Sequence, residues 1–186
     1  RFRDKAENDG PKLLHEQRKQ GFSILITLGG SDPTGLTLIT AQALEKLDLK
    51  VNITIVVGIA YAYHKDLADF LEQATKPFTL KKDVVNLPEL IMDSDLIICS
   101  GGRTVYELAA LGSPGITICQ NERELKRMET FKKHETIINL GLGNGVSTET
   151  ILETVKALLI DPDRRKQMSQ NGLALFDGNG TSRVAD

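Results

Sequence analysis

Little in this chain invites metal or redox chemistry. Its 186 residues hold only two cysteines and three histidines. Cys99 and Cys119 lack the C-x-x-C spacing of a zinc knuckle or redox pair. Both end apolar strand-like runs, where a thiol is expected to be buried and reduced, as in a cytosolic protein. No Ser–His–acid order, metal cluster or paired catalytic carboxylate stands out, so no catalytic residue, no metal and no cofactor are expected. Charge of one sign is also lacking: the net charge is −2. Lys81-Lys82 and Arg164-Arg165-Lys166 are short runs that belong on solvated faces, which argues against a nucleic-acid partner. The longest apolar stretch, around Ile53 to Tyr63, is about half a membrane span. The opening RFRDKAENDGPKLLHEQRKQ has no apolar core and is no signal peptide. No transmembrane segment is expected, and a cytoplasmic location is.

What is present is an ordinary globular composition, 40% hydrophobic and 26% charged, on a chain of single-domain length. Residues 1–20 are polar and read as a linker from a missing N-terminal domain. From Phe22 onward, strand and helix patterns alternate. FSILITL is a near-continuous apolar run, as a strand buried on both faces should be. DPTGLTLITAQALEKL places Leu36, Ile39, Ala43, Leu44 and Leu47 on one helical side. VNITIVVGI, FTLKK, DLIICS, GITICQ and TIINLG read as further strands, with helical patterns between them and two more closing the series. Six short strands alternating with helices imply right-handed βαβ crossovers. The fold class is therefore α/β, a doubly wound Rossmann-like parallel sheet over residues 21–175, with its ligand at the carboxyl ends of the strands. In residues 176–186, Thr181 and Ser182 resemble the opening of a further, truncated crossover helix.

Two glycine turns follow strands. LGGSDP, Leu28 to Pro33, is a strand-to-helix turn in which Asp32 and Pro33 form a good helix start. It lacks the lysine of a P-loop. A dinucleotide fingerprint would need an acid at the end of the second strand, and VVGIAYAY offers none, which weakens an NAD(P) reading. SGGRTVYELAALGSPGI, Ser100 to Ile116, is the stronger signal. Thr104 and Glu107 have the T-x-x-E spacing of a capping box. The Gly101-Gly102 pair beside the strand end admits a second reading. Bare N–H groups at a helix N-terminus bind anions, and Glu107 one turn in could accept two ribose hydroxyl protons.

LITLGGSDPTGLT, NLPELIMDSDLIICSGGRTVYELAALGSPGI, CQNERE and LFDGNGTSRV together resemble the C-terminal half of a two-domain nucleotide-sugar enzyme. The family is the UDP-sugar hydrolase of pseudaminic acid biosynthesis, with the related spore-coat polysaccharide biosynthesis proteins. More distantly, the chain is similar to the N-acetylglucosaminyltransferase of peptidoglycan lipid assembly. The resemblance runs from about Ile24 to Val184. It implies the C-terminal half of a glycosyltransferase-B architecture, in which this domain holds the UDP part of the donor. By that resemblance Gly29, Gly30 and Ser31 line the cleft, and Gly101, Gly102, Arg103 and Thr104 cradle the diphosphate. Glu107 takes the ribose, and the backbone around Val85 pairs with the uracil edge. CQNERE departs from the hydrolase, which has an Asn-Gln pair reaching toward phosphate or sugar. Here Asn121 is kept and Glu122 follows; such an acid is expected to point away or meet a cation. Asn121 equally suits a strand-end turn, and Arg103 a solvated position.

The resemblance also implies a catalytic histidine in the N-terminal domain. His15 lies in the linker, and His134 near a helix end where a cation suits the dipole. His64, after the second strand, fits either a sugar contact or a helix entry. The expectation is the UDP-binding half of a nucleotide-sugar hydrolase or transferase in surface polysaccharide or nonulosonic-acid-type biosynthesis. Its partners are then a UDP-sugar and an N-terminal Rossmann-like domain absent from this chain. The alternatives are a non-catalytic nucleotide-sugar-binding module and, third, an NAD(P)-binding domain.

Overall fold

A computed structural model describes residues 21–176; the expected linker and nearly all of the expected truncated helix lie outside them. Six strands form one sheet: β1 (Phe22–Thr27), β2 (Val51–Val57), β3 (Phe78–Lys82), β4 (Leu96–Cys99), β5 (Gly115–Cys119) and β6 (Ile137–Leu142). Their order is β3-β2-β1-β4-β5-β6, and every pairing is parallel. Among the described residues, seven α-helices accompany them: α1 (Leu36–Glu45), α2 (His64–Gln73), α3 (Leu87–Met92), α4 (Thr104–Leu111), α5 (Glu122–Lys133), α6 (Thr148–Ile160) and α7 (Pro162–Leu175).

The apolar runs read as doubly buried strands separate cleanly by parity. Ile24, Ile26, Ile53, Ile55, Leu96, Ile98, Ile116 and Ile118 face a layer containing α1 and α6, through residues such as Leu44, Val155 and Leu158. Leu25, Ile97, Cys99 and Cys119 face the opposite layer of α3, α4 and α5, packed on Ile91, Leu108, Met128 and Phe131. Each fully buried aliphatic side chain contributes about 1.5–3 kcal/mol, so the two layers together specify which face each residue takes. Both cysteines are free and buried. Burial pushes the Cys119 thiol up to about 11 and the Cys99 thiol higher still. Neither is a thiolate nucleophile at neutral pH.

The chain turns from the β2 side of β1 to the β5 side at the β1–β4 pair, where Thr27 stands beside Cys99. In an open α/β sheet the crevice beyond the carboxyl ends of such a pair receives the ligand. Both glycine turns open there.

Candidate functional site

Three helices begin around this crevice, and two of them already hold an acceptor. Asp32 is 1% exposed, with Oδ1 accepting the Leu36 N–H at 3.0 Å and Oδ2 the Thr37 N–H at 2.7 Å. The helix whose start was placed at Asp32-Pro33 opens only at Leu36, because Asp32 sits at φ 38° and reaches across the turn instead of continuing it. A carboxylate thus already neutralises the positive end of α1. Asn121 caps α5, its side chain accepting the Glu124 N–H at 3.0 Å, so its turn role is realised.

The start of α4 differs. Arg103 is its N-cap, no side chain caps it, and Thr104 is already the first helical residue. The Thr104–Glu107 capping box is therefore not formed. Glu107 is exposed and accepts no hydrogen bond from the described residues. Partial burial raises its carboxyl above the usual range, and the Arg103 guanidinium opposes that rise.

One expectation for this turn needs correction. The Gly101 N–H is not free: it donates to Glu124 Oε2 at 3.1 Å. The same oxygen takes the Gln120 N–H at 2.8 Å, and Arg127 Nη1 donates to the Gly101 carbonyl at 2.8 Å. Two α5 side chains thus clamp the peptides on either side of Gly101 in the β4–α4 turn. A methyl on Gly101 would lie 2.9 Å from Glu124 Cβ, so close helix packing alone requires glycine there. The donors without an acceptor among the described residues begin at Gly102 and continue into Arg103 and Thr104, as the first turn of any uncapped helix leaves them.

The β1 turn meets the β4 turn at Ser100. A methyl on Gly29 would lie 3.7 Å from Ser100 Oγ, and one on Gly102 3.2 Å from it. Gly29 adopts φ 99°, a conformation other residues rarely take. Gly30 has nothing within 4 Å of a would-be side chain, and Ser31 is exposed beside it.

Gln120, which the sequence reading passed over, ties these parts together. Its Nε2 donates to the Leu28 carbonyl at 3.1 Å and to Asp32 Oδ1 at 2.8 Å. Its Oε1 accepts from Thr34 Oγ1 at 2.5 Å. The side chain spans from the end of β5 to the end of β1, across the end of β4. Beside it opens a cavity of about 320 Å³ lined by Thr34, Gln120, Asn121, Glu122, Leu142 and Asn144, among others. Glu122 lines this cavity and has no cationic partner among the described residues. The Asn121-x-x-Glu124 spacing is itself a capping-box pattern and was the available sequence signal for Glu124.

The remaining predicted positions sit farther along the same edge. Val85 is fully exposed in the loop before α3, and α3 packs against α4. His64 is the exposed first residue of α2, its ring centroid 5.2 Å from that of Tyr61. The Tyr61 hydroxyl is pushed up to about 12, first by burial and then by Asp32. Among the described residues no group of three His, Cys, Asp or Glu could hold a metal. No helix among them is long and apolar enough to cross a membrane.

Residues 23–180 match the glycosyltransferase family 28 C-terminal domain. The chain belongs to that family. It is 27% identical over 169 residues to the spore coat polysaccharide biosynthesis protein SpsG of Bacillus subtilis, covering 90% of this chain and 50% of that one. The fold is also that of MurG from Acinetobacter baumannii, with TM-score 0.77 and 16% identity over 91% of this chain and 50% of the other. A second similar structure is Anabaena HepE in complex with UDP-glucose, with TM-score 0.65 and 14% identity over 94% of this chain and 47% of that one. The chain spans about half the length of each of these proteins. A glycosyltransferase-B-like Rossmann domain is thus the architecture of this family member.

Proposed function

We propose that this family 28 domain is the donor-binding half of a two-domain enzyme that releases UDP from a UDP-sugar. The enzyme is a glycosyltransferase or UDP-sugar hydrolase of surface polysaccharide or nonulosonic-acid-type biosynthesis. The observation that carries this reading is the uncapped start of α4 at the strand-order switch point, with an uncommitted carboxylate one turn in. The neighbouring helix starts hold Asp32 and Asn121, so α4 is where a diphosphate meets free N–H groups and half a unit of positive dipole. Gly102, Arg103 and Thr104 take the diphosphate, Glu107 the ribose diol, and the backbone at Val85 the uracil edge. Gly29, Gly30 and Ser31 form the facing wall. The sugar extends toward Gln120 and Asn121.

The chemistry follows from that placement. Water or an acceptor hydroxyl attacks the anomeric carbon, giving up its proton to a base on a facing N-terminal domain. The anomeric C–O bond breaks, and its electron pair leaves with the β-phosphate of UDP. The N–H groups at α4 gain strength as that charge develops, which is differential stabilisation of the transition state. The name of the SpsG relative and the UDP-glucose held by HepE support the substrate class.

Calorimetry with UDP, GDP and NADH against the chain and its Glu107→Ala variant tests the reading. UDP is expected to bind best, and the variant to lose about tenfold or more, the value of a charge-assisted hydrogen bond or two. Equal UDP affinity in the two proteins would remove Glu107 from the site.

A further inference from the structure

We infer that Glu122 sets the charge preference of the donor-sugar subsite, favouring sugars that carry a free amino group and rejecting uronic acids; this rests on the crevice reading proposed above. The cavity beside Gln120 is large enough for a hexose. Several of its neutral polar groups are already engaged. Thr34 Oγ1 and Gln120 Oε1 bond to each other, Gln120 Nε2 serves Asp32 and Leu28, and Asn121 Oδ1 caps α5. Glu122, an exposed residue at the start of α5, lines the same space and has no hydrogen bond or ion pair with any described residue.

Two further carboxylates are hydrogen-bonded to Gln120 beside it. Asp32 is buried behind Gln120, and Glu124 accepts the Gln120 N–H. Of the nearby cations, Arg127 is held on the Gly101 carbonyl. Arg103 stands at the start of α4. Arg123 is exposed on α5 at the position after Glu122, and adjacent helical residues diverge. An anionic group placed in this cavity meets repulsion, which keeps the diphosphate at α4 and the sugar here. A sugar ammonium meets a carboxylate that has no partner among the described residues. Replacing a neutral hydrogen bond by a charge-assisted one roughly doubles its strength, or about tenfold in affinity.

The test is titration of the full chain with UDP, UDP-glucosamine and UDP-glucuronic acid at about pH 6.5, where an amino sugar is cationic. UDP-glucosamine is expected to bind at least about tenfold tighter than UDP-glucuronic acid. Glu122→Gln should bring that ratio close to one with UDP affinity unchanged, and Glu122→Lys should invert it. Glu129→Gln, an exposed change on the same helix, should leave the ratio alone. A ratio identical in the unaltered chain and in Glu122→Gln, with UDP bound by both, overturns the inference while leaving the crevice reading intact. Failure of UDP itself to bind overturns that reading and this inference with it.

Discussion

Replacing Gly101 by alanine should make the domain unfold more easily, through packing rather than through loss of a ligand donor. The new Cβ would lie 2.9 Å from Glu124 Cβ and 3.1 Å from Cys119 Sγ. Neither is the loose end of a side chain: one is the root of Glu124 on α5, the other a buried thiol. Either α5 backs away from the β4–α4 turn or the turn lifts. Overpacking of this kind costs about 1–3 kcal/mol. Displacement also weakens the Glu124 and Arg127 bonds that hold the Gly101 backbone, each charge-assisted and individually about 1.5–3 kcal/mol when lost outright. Partial loss of both puts the total at about 2–4 kcal/mol. With a urea slope of about 2 kcal/mol per molar, the unfolding midpoint should fall by about 1–2 M. Gly30→Ala is the matched comparison. Its methyl meets nothing within 4 Å and its backbone is not left-handed, so its midpoint should move by less than about 0.3 M, as for an ordinary surface change. Circular dichroism in a urea series reads both. An unmoved midpoint for Gly101→Ala, or an equal drop for Gly30→Ala, would refute the packing argument.

Asp32→Ala removes the acceptor for Leu36 N–H, Thr37 N–H and Gln120 Nε2; a loss of about 2–4 kcal/mol is expected, read as a lower melting temperature. The Glu107 carboxyl titrates above its ordinary range because burial disfavours its charge, and only the ionised form accepts ribose hydroxyl protons. UDP affinity should therefore fall as pH drops through that raised value, and Glu107→Gln should bind weakly with a flat profile. For the free chain the sign reverses. The folded state binds more protons between the ordinary and raised values, so stability declines slightly as pH rises through that window, and Glu107→Gln removes the decline. Cys99 and Cys119, buried and with raised thiol values, should resist iodoacetamide at neutral pH until urea unfolds the chain; rapid labelling of the folded protein would contradict their burial.

The architecture was legible because strand parity and helical spacing are local signals. Apolar runs such as Phe22–Leu28 and Leu96–Ser100 must be buried on both faces, and alternation with helices leaves a parallel sheet as the outcome. Both glycine turns could be placed at the carboxyl ends of strands for the same reason. What the sequence concealed was long-range hydrogen bonding. Glu124 reaches back to Gly101, and Gln120 to Leu28 and Asp32, across separations no local pattern reports. Hence Gly101 was counted among the anion-binding amides although its N–H is taken. The capping-box alternative for Thr104 and Glu107, one of the two readings their spacing allowed, fails for a complementary reason. The Gly101–Arg103 turn delivers Thr104 already inside the helix, too late to cap it, while the same spacing one helix later, Asn121 to Glu124, does form a cap.

The most direct measurement is amide-resolved NMR of the nitrogen-15-labelled chain during a UDP titration. Saturable shifts are expected at Gly102, Arg103, Thr104 and Glu107 and along Gly29–Ser31, with the Gly101 N–H still held by Glu124 and changing little. Saturation with no shift at the start of α4, or with shifts confined to α6 and α7, would contradict a diphosphate site at the β1–β4 switch point.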